Sequence, residues 1–250
     1  MRSGIGTNMT ASIPEQPSTP SAPELEAYAR LSVQGAPLRI ARLQERTLAL
    51  GPGARGVVWF QGCSLTCRGC IAASMNAAPP RVLTTPALLA GWCVALRGID
   101  GITVSGGDPF DQPPSDLAEF LESIRERSKL SILVFTGRTL DQLRRHPDPA
   151  VARCLSAIDI LVDGPYVEEL NDGVGWRGSS NQVIHALGPR SSGSCEGAIA
   201  PRRVELMVTA GGRVSFTGIP TRGRGEGIAA RLQPATGAES TKKADTETIT

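Results

Sequence analysis

Three cysteines fall in the run Gly62-Cys63-Ser64-Leu65-Thr66-Cys67-Arg68-Gly69-Cys70. Their spacing, Cys-x3-Cys-x2-Cys, puts three thiolates on one short loop directly after the apolar stretch Val57-Val58-Trp59-Phe60, which reads as a strand. An iron–sulfur cube normally takes four cysteine ligands. Three leave one iron with an open coordination position, a place for a substrate, as a catalytic zinc keeps one site free. The same residues also fit a cube completed by Cys93, Cys154 or Cys195, a zinc site, or a disulfide.

Such a loop needs a scaffold, and the rest of the chain supplies its elements. Val57–Gln61, Gly101–Ser105, Ser131–Thr136 and Ile158–Val162 are short apolar runs suited to buried strands. Between them Pro86–Leu96 reads as a helix, with Thr85 as N-cap and Pro86 in the first turn. Ser115–Arg127 is an amphipathic helix with Leu117, Phe120, Leu121 and Ile124 on one face, and Leu140–Arg145 is a shorter helix. Val204–Val208 and Val214–Thr217, joined through Ala210-Gly211-Gly212, predict a closing hairpin. This alternation predicts an α/β fold on a parallel sheet with helices outside, either open or curled into part of a barrel. Sites in such folds gather beyond the carboxyl ends of the strands. The cysteine loop, Gly106-Gly107-Asp108-Pro109 and Asp163-Gly164-Pro165 each begin where a predicted strand ends.

With 26 Lys and Arg against 24 Asp and Glu, the net charge is +2 and the basic residues are scattered, so no nucleic-acid footprint is indicated. Six cysteines without a secretory leader point to a reducing compartment rather than a disulfide framework. No window approaches the roughly 20 apolar residues of a membrane span, so the expectation is a soluble, cytoplasmic protein. His146 and His185 are too few for a His-rich zinc site or His-centred acid–base chemistry. Cys93 and Cys154 fall in helical stretches as small buried hydrophobes, and Cys195 lies in a polar loop. Residues 1–23 and 221–250 have the composition of disordered tails around a domain at 24–220, and Gly188–Ser194 reads as a flexible insertion.

The cysteine loop and Ser105-Gly106-Gly107-Asp108-Pro109, each following a strand, resemble the radical S-adenosylmethionine superfamily. Gly51-Pro52-Gly53-Ala54-Arg55 and Phe60-Gln61-Gly62-Cys63 resemble glycyl-radical activating enzymes. The small Gly69 before the third cysteine resembles the activating proteins of anaerobic ribonucleotide reductase. Phe135-Thr136-Gly137, Ile160-Leu161-Val162-Asp163-Gly164-Pro165-Tyr166 and Trp176-Arg177-Gly178-Ser179-Ser180-Asn181-Gln182 continue the similarity, which runs from about Thr47 to Leu187. After the third cysteine, where such proteins commonly carry a polar His-Asn pair, this chain has Ile71-Ala72-Ala73.

The resemblance implies a partial (β/α) barrel in which Cys63, Cys67 and Cys70 hold a 4Fe-4S cluster and S-adenosylmethionine chelates its fourth iron. It places Gly69, Cys70, Ser105, Gly106, Gly107, Asp108, Asp163 and Arg177 at the cofactor. Adjacent glycines would let the main chain approach the methionine ammonium, with Asp108 as a negative partner. Asp163 would face the methionine carboxylate region, or simply form a turn before Gly164. Arg177 would hold a carboxylate or a partner backbone, or make a surface salt bridge, and Trp176 would pack. The implied reaction is reductive cleavage of S-adenosylmethionine to methionine and a 5′-deoxyadenosyl radical. That radical would take a hydrogen atom from a glycine of a partner such as anaerobic ribonucleotide reductase. No catalytic side chain is needed beyond the cluster and cofactor, and a flavodoxin or ferredoxin electron donor is implied. The alternatives are a radical enzyme acting on a small molecule or peptide, and an iron–sulfur electron carrier.

Overall fold

Ile102 and Val104 point to one side of their strand and Thr103 and Ser105 to the other, a period-two division that the neighbouring strands repeat. The structure, a computed structural model, describes residues 20, 22–77, 79–191, 199, 202–208 and 214–221. In chain order the elements are α1 (Ala22–Leu31), β1 (Leu38–Thr47), β2 (Arg55–Phe60), α2 (Ser74–Ala77), β3 (Val82–Thr84), α3 (Pro86–Ala95) and β4 (Gly101–Gly106). There follow α4 (Pro114–Arg127), β5 (Ser131–Phe135), α5 (Leu140–Arg144), α6 (Pro149–Ala157), β6 (Ile160–Asp163), β7 (Val183–Ala186), β8 (Val204–Val208) and β9 (Val214–Gly218).

Seven strands form one sheet in the order β3-β1-β2-β4-β5-β6-β7. β2, β4, β5 and β6 run parallel, as the alternation predicts. The flanks depart from that expectation: β1 is antiparallel to β2, β3 to β1, and β7 to β6. The architecture is therefore a mixed α/β fold on a parallel-rich sheet. β8 and β9 form the predicted hairpin as a separate two-stranded sheet.

All the long helices after β2 pack on one face. Val58, Phe60, Ile102, Val104, Ile132, Val134 and Leu161 meet Leu89 and Cys93 of α3, Leu117, Phe120, Leu121 and Ile124 of α4, and Val151 and Cys154 of α6. Each large apolar side chain fully buried there contributes about 1.5–3 kcal/mol. Phe60 and Phe120 meet edge to face, 6.0 Å between centroids. Thr85 caps α3 by accepting from Leu88 N at 3.4 Å, and Thr139 and Gln142 form a capping box on α5.

The other face is closed by the short α2, loops and the strands that follow β6. Ala41, Leu50, Val57 and Trp59 pack with Met75 and Ile219, and Leu133, Ile160 and Val162 with Phe135, Trp176 and Ile184. Thr217 Oγ1 donates to Gln44 Oε1 at 2.6 Å and Leu48 N to Glu205 Oε1 at 2.7 Å, fixing the hairpin to β1 and the turn after it. Arg202 then ties the hairpin to the 171–178 segment, donating to Asn171 Oδ1 (2.5 Å), Gly178 O (3.0 Å) and Pro220 O (3.3 Å).

At the amino ends of the strands Arg55 is completely buried. Its Nε donates to Thr103 Oγ1 (2.6 Å), Nη1 to Pro52 O (3.1 Å) and Ser131 Oγ (3.0 Å), and Nη2 to Ile102 O (2.7 Å) and Ser131 O (2.9 Å). Burial pushes its pKa down to about 10, opposed by Asp100 and Asp159, so it stays charged at neutral pH. The Gly51–Arg55 stretch thus staples the far end of β2, about 20 Å along the strand from the cysteines.

α1 begins at Ala22, inside the stretch expected to be disordered; residues 1–19, 21 and 222–250 of those expected tails lie outside the described residues. The expected insertion begins as anchored chain, since Arg190 Nη1 donates to Ser128 O and Leu130 O at 3.1 Å; residues 192–194, the hairpin turn and Cys195 also lie outside the described residues. No helix among the described residues is long and apolar enough to cross a membrane.

Candidate metal centre

The cysteine loop leaves the carboxyl end of β2 and is pinned where it begins and ends. Gly62 N donates to Met75 O at 2.8 Å and Cys63 N to Asn76 O at 3.3 Å, so all three cysteines lie within one closed loop. Inside it Cys70 N donates to Cys67 O (3.3 Å) and Ala73 N to Cys70 O (3.2 Å). Gly69 makes the turn between Cys67 and Cys70 at φ +69°, and a Cβ there would lie 2.8 Å from Glu168 Cδ. Gly69 therefore serves the turn and the contact with Glu168, whose carboxylate also faces Arg68 at 3.7 Å.

Gly106 and Gly107 carry the chain from β4 against this loop. A Cβ on Gly106 would lie 2.3 Å from Phe60 O, and one on Gly107 2.1 Å from Gly62 O. What comes close to these glycines is the chain's own backbone: Gly107 N donates to Phe60 O and Asp108 N to Gly62 O, both at 2.9 Å. Ser105, half-buried, stands beside Trp59 on the face opposite the helices.

The Asp108 carboxylate is turned inward and fully buried. It accepts from Phe110 N (2.9 Å), Gly137 N (2.9 Å) and, on both oxygens, from Thr136 Oγ1 (3.0 Å). Burial pushes its pKa above the ordinary value, against these hydrogen bonds and with the Asp111 charge adding to the rise. Its observed role is to lock the β4 loop to the turn after β5.

Asp163 lies on the helix-side face, as Leu161 does, while Ile160 and Val162 face the other way. Its Oδ2 accepts from Leu140 N at 2.5 Å and lies 3.0 Å from His185 Nε2. The structure does not bring this carboxylate to the Ser105–Trp59 face. Arg177 makes the surface ion pair, donating to Asp172 Oδ2 at 2.8 Å, and Trp176 packs over β5 and β6. His146 accepts from Asp148 N at 3.2 Å in an exposed turn.

Sequence reasoning missed Asp111, Gln112, Arg138 and Arg39. Asp111 accepts from Ser64 N at 2.5 Å and from Ser64 Oγ at 3.1 Å, and pairs with Arg138. The buried Gln112 donates to Gln61 O at 3.0 Å and accepts from Arg39 N at 3.0 Å. The only local signal was position, since Asp111 and Gln112 directly follow Gly-Gly-Asp-Pro-Phe.

The donor set fits a cluster. Cys63, Cys67 and Cys70 form no disulfide and are half-buried, whereas Cys93 and Cys154 are sealed in the helix-side core. Among the described residues no three His, Cys, Asp or Glu side chains converge as a single ion requires. A cube takes one thiolate per iron, so its ligands need not meet at a point; a mononuclear zinc does need that. Burial pushes the Cys63 thiol up to about 11, with Asp108, Asp111 and Cys70 adding to the rise, so taking up a metal means losing that proton.

Residues 49–185 match the family model described as a 4Fe-4S single cluster domain. The anaerobic ribonucleoside-triphosphate reductase-activating protein of Escherichia coli (strain K12) is 35% identical over 144 residues, 55% of this chain and 91% of that protein. The protein of the same name from Haemophilus influenzae is 32% identical over 142 residues (54% and 89%), and that from Enterobacteria phage T4 is 30% identical over 139 (54% and 85%). With the cluster domain matched over more than half of its length, the chain belongs to the 4Fe-4S single cluster domain family and to the family of the anaerobic ribonucleoside-triphosphate reductase-activating proteins.

Proposed function

We propose that this chain is a radical S-adenosylmethionine enzyme that generates a glycyl radical on a partner of the anaerobic ribonucleotide reductase type. The observation that carries the reading is the single pinned loop holding three half-buried cysteines, none in a disulfide, at the carboxyl end of β2. In this reading Cys63, Cys67 and Cys70 hold a 4Fe-4S cluster and leave one iron for S-adenosylmethionine. When bound, the pair supplies one-electron cleavage of the sulfonium, giving methionine and a 5′-deoxyadenosyl radical able to take a hydrogen atom.

The chain's own residues orient and seal. The Gly106-Gly107 backbone and the buried Asp108 hold the β4 loop against Gly62, which fixes the base of the cysteine loop. Ser105 offers a hydroxyl beside Trp59, and Trp176 and the hairpin cover apolar surface on that face, keeping water from a radical. Parallel strands in sequential order, with their helices on one face, support a partial barrel across residues 24–220. The low-potential electron would come from a flavodoxin or ferredoxin.

The test is electron paramagnetic resonance of the reduced, reconstituted protein mixed with the reductase and S-adenosylmethionine, with and without glycine deuterated at Cα. The expected result is a glycine-centred doublet that collapses on deuteration. Cofactor cleavage with no doublet, and with a small molecule delivering hydrogen to 5′-deoxyadenosine, would overturn the activating role.

A further inference from the structure

We propose that Asp111, countered by Arg138, is a positioning residue for Cys63 and balances the charge around the cluster loop; this rests on the cluster reading above. Ser64 directly follows Cys63, so the Ser64 N–H belongs to the peptide bond that joins them. Asp111 Oδ2 accepts from that N–H at 2.5 Å, and Oδ1 accepts from the Ser64 hydroxyl at 3.1 Å. Arg138 Nη2 donates to Asp111 Oδ1 and also reaches Ser64 Oγ at 3.3 Å, closing a triangle of three side chains. The Asp111 side chain is 14% exposed and that of Arg138 31%, so solvent screens the pair only in part.

The carboxylate is itself held rigidly. Asp111 N donates to Asp108 O at 3.1 Å, and Arg39 Nη2 donates to Asp111 O at 2.7 Å. Gln112, fixed between Gln61 O and Arg39 N, locks the next residue. The peptide after the first cysteine is thus oriented by an anion whose own position is set on both sides.

The charge has a second consequence. A carboxylate beside the Cys63 loop opposes the addition of an electron to anything that loop holds, and the Arg138 guanidinium offsets it. Removing one partner or the other should move a reduction potential in opposite directions. A purely structural clamp would move neither, or both alike.

The experiment compares the full chain with Asp111→Asn, Arg138→Gln and Ser64→Ala, each loaded anaerobically. The readouts are iron content, the rate of iron loss to a chelator, and the cluster midpoint potential. Asp111→Asn, which loses a charge-assisted acceptor, should lose iron roughly tenfold faster. Its potential should shift positive, and that of Arg138→Gln negative. Ser64→Ala keeps the N–H but lacks the hydroxyl, and should lose iron faster than wild type with a smaller shift. If Asp111→Asn does not fold, the negative shift in Arg138→Gln and the faster loss from Ser64→Ala carry the test. Wild-type potentials and release rates in the folded variants, or shifts of the same sign, overturn the proposal. A wild-type chain that takes up no iron would instead overturn the cluster reading, and the positioning role with it.

Discussion

Replacing Gly107 by Ala adds one methyl group where the structure has no room for it. The new Cβ would lie 2.1 Å from Gly62 O and 2.5 Å from Gly62 C. Non-bonded heavy atoms settle at about 3.5 Å, so backbone must separate from backbone by roughly 1 Å. Asp108 N→Gly62 O and Gly107 N→Phe60 O, both 2.9 Å, are the bonds that such a movement breaks. Overpacking of this kind costs about 1–3 kcal/mol, and two weakened hydrogen bonds add about 0.5–1.5 kcal/mol each, giving a loss of about 2–6 kcal/mol. Gly62 precedes Cys63, so the displacement passes straight into the cysteine loop. Gly35→Ala is the control: it has φ +73° and nothing within 4 Å of the new Cβ, so only left-handed strain of about 1–2 kcal/mol applies. Urea denaturation of the metal-free chain gives the stabilities, and iron per chain after reconstitution reads the loop. A Gly107→Ala protein as stable as wild type and fully loaded with iron would refute the argument from close backbone approach.

Asp108→Ala should strand Phe110 N–H, Gly137 N–H and the Thr136 hydroxyl and destabilise the fold by about 3–5 kcal/mol in urea titration. Because burial holds Asp108 above its ordinary 3.8, the stability linked to its protonated form is complete below that value and is lost as pH rises through the raised one. Asp108→Asn removes this titration, so the stability gap to wild type should narrow between pH 4 and pH 7; a widening gap would contradict the sign. Arg55→Lys cannot reproduce five hydrogen bonds from a planar fork and should lower stability by about 2–4 kcal/mol with normal iron content per folded chain. Cys93→Ala and Cys154→Ala should retain the iron that Cys63→Ala, Cys67→Ala and Cys70→Ala lose, as iron assays of reconstituted protein will report.

The parallel strands and amphipathic α4 were legible because their apolar residues follow the period of the element that buries them. β1 was not, since Arg39, Arg42, Glu45 and Arg46 break up its apolar pattern. Tertiary partners absorb two of these charges: Arg42 stacks over Trp59 at 4.9 Å, and Arg39 donates to Asp111 O. β7 is a four-residue edge strand with exposed ends, too short to show a period. The cysteines stood out as candidate ligands from their spacing. What Asp108 and Asp163 do was not, because it depends on which way each carboxylate faces once the sheet forms. Asp163 takes the helix side by strand alternation, and Asp108 turns inward because Thr136 and the Gly137 N–H wait there.

Ile71-Ala72-Ala73, where the resemblance led us to expect a polar His-Asn pair, bears on this anchoring. A loop with Leu65 as its one large apolar residue between the first and last cysteines cannot hold its shape by burial alone. Its shape comes from Gly62 and Cys63 on Met75 and Asn76, Ser64 on Asp111, Leu65 against Gly137, and Arg68 near Glu168 and Glu169. Ile71 takes part in none of these contacts and is 44% exposed. The bonds that residues 71–73 make in this loop, Ala73 N to Cys70 O and Met75 N to Ala72 O among them, use backbone atoms, so exchanging a polar pair for apolar side chains here leaves the mounting of the cysteines intact. The change falls on accessible surface beside the loop, where it alters what an approaching molecule meets and not how a cluster is held.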